Sequence, residues 1–202
     1  MKLMIMATFI EAKPFIELMP FTILNQTPFP TFQHEDMILV ISGMGKVNAA
    51  IAATYGCVNY RPNHVLNFGA AGATGLLASL GEIYQVGAAI EYDGCDLKTG
   101  MPPTYTPKTL PGFQTATIAT QDIPVIEKKH RVTVSVSAAL VDMEASAIIQ
   151  ACQKFQVRCH LFKFVTDTPN DPCEGDIKKH IRRHRLPFYH FITGSVLPAL
   201  GN

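Results

Sequence analysis

Charge is scarce in this chain: Asp, Glu, Lys and Arg make up 16% of its 202 residues and leave a formal net charge of +1. So even a balance gives no global electrostatic case for binding nucleic acid. No stretch reaches the roughly 18 uncharged apolar residues of a membrane-spanning helix, so no membrane partner is expected. Cysteine is sparse and scattered, at Cys57, Cys95, Cys152, Cys159 and Cys173, with no C-x-x-C pair. An odd, dispersed set suggests neither a zinc site nor a disulfide framework, and fits reduced thiols in a cytoplasmic protein. Intact nucleotide loops are missing too. Gly43-Met44-Gly45-Lys46 has Val40 where Walker A needs its first glycine and Val47 where it needs Ser or Thr, and Asn48 occupies the third glycine of a dinucleotide fingerprint.

What the chain has in quantity is apolar residues, 48% of the total, in short runs. Lys2–Ala7, Met37–Ile41, His64–Phe68, Gly81–Tyr92, Thr115–Thr120, Ala138–Val141 and Val157–Thr166 read as strands. Met1–Ile10 is taken as a first buried strand rather than a signal peptide, because Glu11 and Lys13 follow at once without a cleavage pattern. Helical spacing marks Lys46–Val58, Met143–Phe155, Glu174–Arg185 and Phe188–Leu200, the last two kinked or broken at Pro187. Glycine turns are expected after Ile41 and after Phe68, and a proline-rich loop over Asp93–Gly112. Strands alternating with helices predict an α/β fold, a three-layer α/β/α sandwich around a central, mostly parallel (mixed) sheet. No repeat or low-complexity tract divides the chain, so residues 1–202 are read as a single domain.

Two features compete for chemistry. His180 and His184 lie four apart, but Lys178, Lys179, Arg182, Arg183 and Arg185 surround them. A solvated basic helix face suits that run better than a metal site, and no metal is assigned. Three carboxylates are more informative. Glu11, Glu144 and Asp167 each stand at the carboxyl end of a predicted strand, the edge where open α/β sheets bind ligands. Singly, each reads equally well as an acid at a helix start, favoured by the helix dipole. Jointly, they describe a site.

The ordered motifs then resemble a family. Ser42-Gly43-Met44-Gly45-Lys46-Val47-Asn48-Ala49-Ala50, Asn67-Phe68-Gly69-Ala70-Ala71-Gly72, Gly81-Glu82-Ile83, Val141-Asp142-Met143-Glu144-Ala145 and Thr166-Asp167 are similar to successive segments of the nucleoside phosphorylase/nucleosidase superfamily. The resemblance is greatest to 5′-methylthioadenosine/S-adenosylhomocysteine nucleosidases. It implies an N-ribosyl hydrolase acting on a purine nucleoside or a 5′-modified adenosine, without metal or redox cofactor, and assembled as a homodimer or larger homo-oligomer. Glu11 would deprotonate the attacking water, and Asp167 would protonate or hydrogen-bond the purine N7. Glu144 would bind ribose hydroxyls with Met143 beside the sugar, and Gly69, Ala70, Pro124 and Val125 would complete the substrate pocket.

Breaking an N-glycosidic bond builds positive charge on the sugar, which carboxylates stabilise, so these residue types suit the reaction. Phosphorolytic relatives clamp phosphate with arginines, and none occurs here between Arg61 and Arg131, which favours water as acceptor. The pattern also departs from the nucleosidases. Pro124 replaces a base-stacking aromatic, Asp142 replaces a glutamate, and the region 93–120 is compressed. The V-D-M-E form is similar to the hopanoid-associated phosphorylase branch, and futalosine hydrolases are another neighbour. A phosphate-dependent phosphorylase and a catalytically degenerate nucleoside-binding protein are the alternatives.

Overall fold

The structure is a computed structural model and describes residues 1–75, 78–170 and 177–201. In chain order its elements are β1 (Lys2–Met6), α1 (Phe9–Leu18), β2 (Thr22–Asn25), β3 (Thr31–His34), β4 (Met37–Ile41), α2 (Lys46–Tyr60), β5 (His64–Ala73), β6 (Ile83–Glu91), β7 (Thr104–Tyr105), β8 (Thr115–Thr120), α3 (Lys128–Ser135), β9 (Leu140–Asp142), α4 (Ala145–Lys154), β10 (Arg158–Asp167), α5 (Ile177–Phe191) and α6 (Leu197–Ala199). A π-helical turn, Ile192–Val196, joins the last two helices.

All ten strands belong to one mixed sheet. Strand β1 lies parallel between β4 and β5, and β5 is parallel to β10 on its other side. Beyond them β10 pairs antiparallel with β6, β6 parallel with β8, β8 parallel with β9, and β9 antiparallel with β5. The five strands β5, β10, β6, β8 and β9 therefore close on themselves in a small barrel. The remaining strands extend from it through β1 to the β2–β3 hairpin edge.

Alternation along each strand divides the core into two layers. Leu3, Ile5, Val40 and Val65 point to one side, where they pack with Ala49, Ala52 and Ala53 of α2 and Ile148, Ile149 and Cys152 of α4. Met4, Met6, Leu39, Leu66, Phe68, Phe162 and Phe164 point to the other, against Ala12 and Phe15 of α1 and Ile181, Phe188 and Tyr189 of α5. Helices on both faces of a mixed sheet give the α/β/α arrangement expected from the strand–helix alternation.

Three local expectations change. The glycine turn after Phe68 does not form, and β5 runs on through Gly69-Ala70-Ala71-Gly72 to Ala73. Small residues are needed there because both sides are crowded. A Cβ at Gly72 would come within 3.1 Å of Asp167 Oδ2 and of Val141 Cγ2. Pro187 does not break the last helix either, since α5 continues past it to Phe191. Phe188 and Tyr189 anchor that continuation through ring contacts with Phe68, Phe164 and Phe15. The expected start of this helix at Glu174 lies outside the described residues. Finally, β2, β3, β7 and α3 were not anticipated. β2 and β3 are short strands split by a Pro28–Pro30 segment, β7 is a two-residue strand inside the expected loop over Asp93–Gly112, and α3 carries Lys128, Lys129 and His130 in place of an apolar stripe.

At the amino ends of β5 and β10, His64 and His160 stack, with His64 Nδ1 3.3 Å from His160 Nε2. Burial, reinforced by His64 and Arg158, pushes His160 down to about 4 from 6.5. A histidine kept neutral by the fold contributes stability above its unfolded value, and that contribution is lost as pH falls from about 6.5 towards 4. The melting temperature of His160→Gln should therefore fall by several degrees less than that of the wild type between pH 7 and pH 4.5. Equal slopes in scanning calorimetry would contradict a buried neutral His160.

Candidate active site

A largely apolar cavity opens where the ends of β1 and β10 meet the middle of β5 and the β9–α4 junction. Its wall comprises Ala7, Thr8, Glu11, Met44, Ala70–Gly72, Pro124–Ile126, Val141–Glu144, Thr166, Asp167, Ile177 and Ile181. Of the residues expected from the sequence, it includes Glu11, Asp167, Glu144, Met143, Ala70, Pro124 and Val125. Gly69 is absent from the wall. It lies behind Glu11, where a Cβ would approach Glu11 Oε1 to 2.8 Å, so its contribution is space for that carboxylate.

Glu11 sits in the first turn of α1 and combines a helix-start role with a site role. Thr8 N and Thr8 Oγ1 donate to its Oε2 at 3.0 and 2.7 Å, and Glu11 N donates back to Thr8 Oγ1, forming a capping box. The other oxygen, Oε1, leaves the helix and accepts from Ala70 N of β5 at 2.8 Å. A side chain held at both oxygens has a fixed direction into the cavity.

Glu144 behaves differently. It occupies the N-cap position of α4 yet makes no capping bond; the neighbouring Asp142 does that, accepting from Ala145 N at 2.9 Å. Freed from its own helix, Glu144 turns across the cavity and accepts from Gly45 N at 3.0 Å, at the start of α2. Burial, with the negative charge of Asp142 beside it, pushes Glu144 up to about 7 from 4.5, against the pull of Lys163 and the Gly45 amide. A carboxyl group poised near neutrality in a cleft is a feature of functional sites.

Lys163 is the cation of this cluster. It lies inside β10, 1% exposed, and its Nζ is 2.9 Å from Asp142 Oδ2. Burial works against its charge, but Asp142, Glu144 and Glu11 outweigh burial and raise it above the ordinary lysine value. Asp142 is completed by Thr120 Oγ1, which donates at 2.7 Å to Oδ1.

Asp167 forms the other end of the cavity. Thr166 Oγ1 donates to its Oδ1 at 2.8 Å, and Arg131 Nη2 makes a close ion pair with Oδ2. Arg131 reaches in from α3, is 2% exposed, and also donates to the carbonyls of Ala73 and Ile126.

The three strand-end carboxylates do converge, though only partly because they stand at strand ends. The carboxyl ends of β1 and β10 share an edge, as a parallel sheet requires. Strand β9 runs antiparallel to β5, and it is closure of the barrel that brings Glu144 to them. The basic run of α5 is also less uniform than expected. Lys178, Lys179, Arg182 and Arg183 are exposed, whereas His180 turns inward and its Nδ1 lies 2.8 Å from Thr166 O. Arg131 and Lys163 were missed. Lys163 had a signal, a lone charge inside the apolar Leu161–Val165 run. Arg131 had none, because it follows the polar Lys128, Lys129 and His130 on its helix.

Residues 11–116 match the family described as the phosphorylase superfamily. A 5′-methylthioadenosine/S-adenosylhomocysteine nucleosidase of Staphylococcus epidermidis is 29% identical over 177 residues, covering 76% of this chain and 78% of that protein. Among solved structures, the apo 5′-methylthioadenosine nucleosidase of Arabidopsis thaliana superposes with a TM-score of 0.86 at 16% identity, covering 100% of this chain and 96% of its own. A futalosine hydrolase mutant of Helicobacter pylori does so with a TM-score of 0.79 at 18% identity, covering 96% and 98%.

Proposed function

The chain belongs to the phosphorylase superfamily, and on that footing we propose that it is an N-ribosyl hydrolase, a nucleosidase cleaving the glycosidic bond of a purine nucleoside or 5′-modified adenosine. The observation that carries the choice of water over phosphate is the charge of the cavity. Glu11, Asp142 and Glu144 face a single buried ammonium, Lys163, and no arginine or lysine lines the described wall. Lys46, next to the Gly45 turn, is engaged by Glu91 and Asp93 at 3.0 and 2.7 Å. An incoming phosphate dianion would meet net negative charge and no bidentate donor; water meets a fixed base.

In this reading Glu11 takes a proton from water, and the water oxygen forms the new bond to C1′ as the N-glycosidic electron pair leaves with the base. Positive charge on the sugar is stabilised by Glu11 and Glu144, both desolvated. Glu144 accepts from ribose hydroxyls, with Met143 beside the sugar. Pro124, Val125 and Ala70 flank the base, and Asp167 holds its edge. The enzyme is proposed to be cytoplasmic, in keeping with free thiols at Cys57, Cys95, Cys152 and Cys159. It is also proposed to be a homodimer or larger oligomer, which would cover the exposed Val47, Ile51 and Val58 along α2.

Incubation with methylthioadenosine, adenosine, inosine and futalosine should release free base and free sugar from at least one of them, at a rate independent of phosphate. A ribose 1-phosphate product, with a rate proportional to phosphate, would establish the phosphorylase instead; binding without release would establish the degenerate protein. The ionisation of Glu144 gives a second test. If its carboxylate must accept from ribose, kcat/KM should fall roughly tenfold per pH unit below about 7 and level off above it. Glu144→Gln should lower the plateau by about two orders of magnitude and remove that limb. A limb that survives the substitution belongs to another group.

A further inference from the structure

We propose that Lys46 is a positioning residue, which works through the main-chain amide of Gly45 to fix the carboxyl group of Glu144 in the cavity. The inference deepens the nucleosidase reading and rests on it for what Glu144 binds; the contacts themselves do not. It begins with what α2 lacks. The helix is entered through two glycines of positive φ, Gly43 at 83° and Gly45 at 94°, and no side chain of its own caps it. With glycine on both sides of Met44, the turn has little stiffness of its own, and the first amides of a helix have no partner within it. Two of them are met here by acids from elsewhere in the chain. Gly45 N donates to Glu144 Oε1 at 3.0 Å, and Lys46 N donates to Asp122 Oδ1 at 2.9 Å.

Lys46 closes the arrangement. Its ammonium meets Asp93 Oδ1 at 2.7 Å and Glu91 Oε1 at 3.0 Å. Asp93 also accepts from Asp122 N at 3.0 Å, so one carboxylate grips the side chain of Lys46 and, through Asp122, its amide. Glu91 accepts in turn from Gln150 Nε2 at 2.9 Å, and Gln150 stands on α4, the helix that begins beside Glu144. The start of α2 is thereby tied on one side to Glu144 and on the other to the helix that follows it. Burial opposes the charge of Lys46, but Asp93 and Glu91 outweigh burial and hold the lysine above its ordinary value. A carboxyl group with one oxygen held by a backbone donor keeps its second oxygen in one place, where ribose hydroxyls would meet it. Met44 lines the same cavity, and Lys46 lies outside its wall, so the effect of the lysine on a ligand passes through Glu144 and this turn.

The test reads the Gly45 amide directly in the whole chain. Met44-Gly45 is the sole Met-Gly pair in the sequence and Tyr55-Gly56 the sole Tyr-Gly pair. Carbonyl-13C methionine with 15N-glycine therefore identifies the Gly45 amide in NMR spectra, and carbonyl-13C tyrosine identifies Gly56, inside α2, as the internal standard. In Lys46→Met, hydrogen exchange at Gly45 should be about tenfold faster or more while Gly56 is unchanged, and Lys46→Arg should restore the wild-type rate. Unchanged exchange at Gly45 would overturn the proposal. So would equal acceleration at Gly45 and Gly56, the mark of a lysine that only steadies the helix. If Lys46→Met does not fold, Asp93→Asn, which loosens the ammonium without removing it, is judged by the same two amides. Kinetics supply the second readout, on a nucleoside that the wild type cleaves. A ribose hydrogen bond depends on direction, whereas the charge of Glu144 acts from either position. Lys46→Met should therefore raise KM about tenfold with kcat changed less, and Lys46→Arg should bring KM back. A loss confined to kcat would contradict a route through the orientation of Glu144. If no nucleoside is cleaved, the nucleosidase reading fails, while exchange at Gly45 decides the positioning role by itself.

Discussion

A single buried ammonium organises this molecule's cavity. Lys163 lies within the central strand β10, opposite Gly69 in the register with β5, and contacts Asp142 directly. Glu11 and Glu144 lie within its field. Taking one lysine and three carboxyl groups out of water together is costly unless they neutralise one another and are hydrogen-bonded. The chain meets that condition through Thr120, the amide of Ala145, Thr8, and the amides of Ala70 and Gly45. Glycine at position 69 is part of the same requirement, because any side chain there would occupy the place of the Glu11 carboxylate.

The two cations divide the cavity. Lys163 compensates the end that carries Glu11, Asp142 and Glu144, and Arg131 compensates the end that carries Asp167. Each stands behind its carboxylates, so the wall presented to a ligand is acidic and apolar. On the proposed reading this separates the sugar, where positive charge develops, from the base, whose edge lies at Asp167. The hydrolytic preference then has an electrostatic origin. The same carboxylates that stabilise a cationic sugar repel a phosphate nucleophile.

Much of this was readable from the sequence, in a graded way. Strands with a strong local signal, such as Met37–Ile41 and Thr115–Thr120, formed with the bounds their residues implied. Glu11, Glu144 and Asp167 were legible because strand ends are easy to locate and acids there are conspicuous. The barrel closure was not, since the direction in which β9 pairs with β5 depends on a two-residue ladder, Gly72–Ala73 against Val141–Leu140, with no local signature. Its consequence is that Glu144 reaches the site from an antiparallel neighbour. Arg131 was illegible for a related reason: the carboxylate and the strand carbonyl it meets are 36 and 58 residues away, and the residues just before it on its helix, Lys128, Lys129 and His130, are polar. Helix-start acids also proved separable only in three dimensions, with Asp142 capping α4 and Glu144 released from it.

The charge at position 163 tests this picture most directly. Steady-state pH profiles of Lys163→Met and Lys163→Arg, on whichever nucleoside the wild type cleaves, compare a lost cation with a retained one. Removing the ammonium should lower kcat/KM by about two to three orders of magnitude and move the acid limb above its wild-type position near 7, because Glu144 loses an attracting charge. Arginine should keep the limb in place and much of the rate. A Lys163→Met enzyme that folds, turns over normally and keeps the wild-type limb would contradict the view that this buried cation holds the carboxylate cluster in its working state.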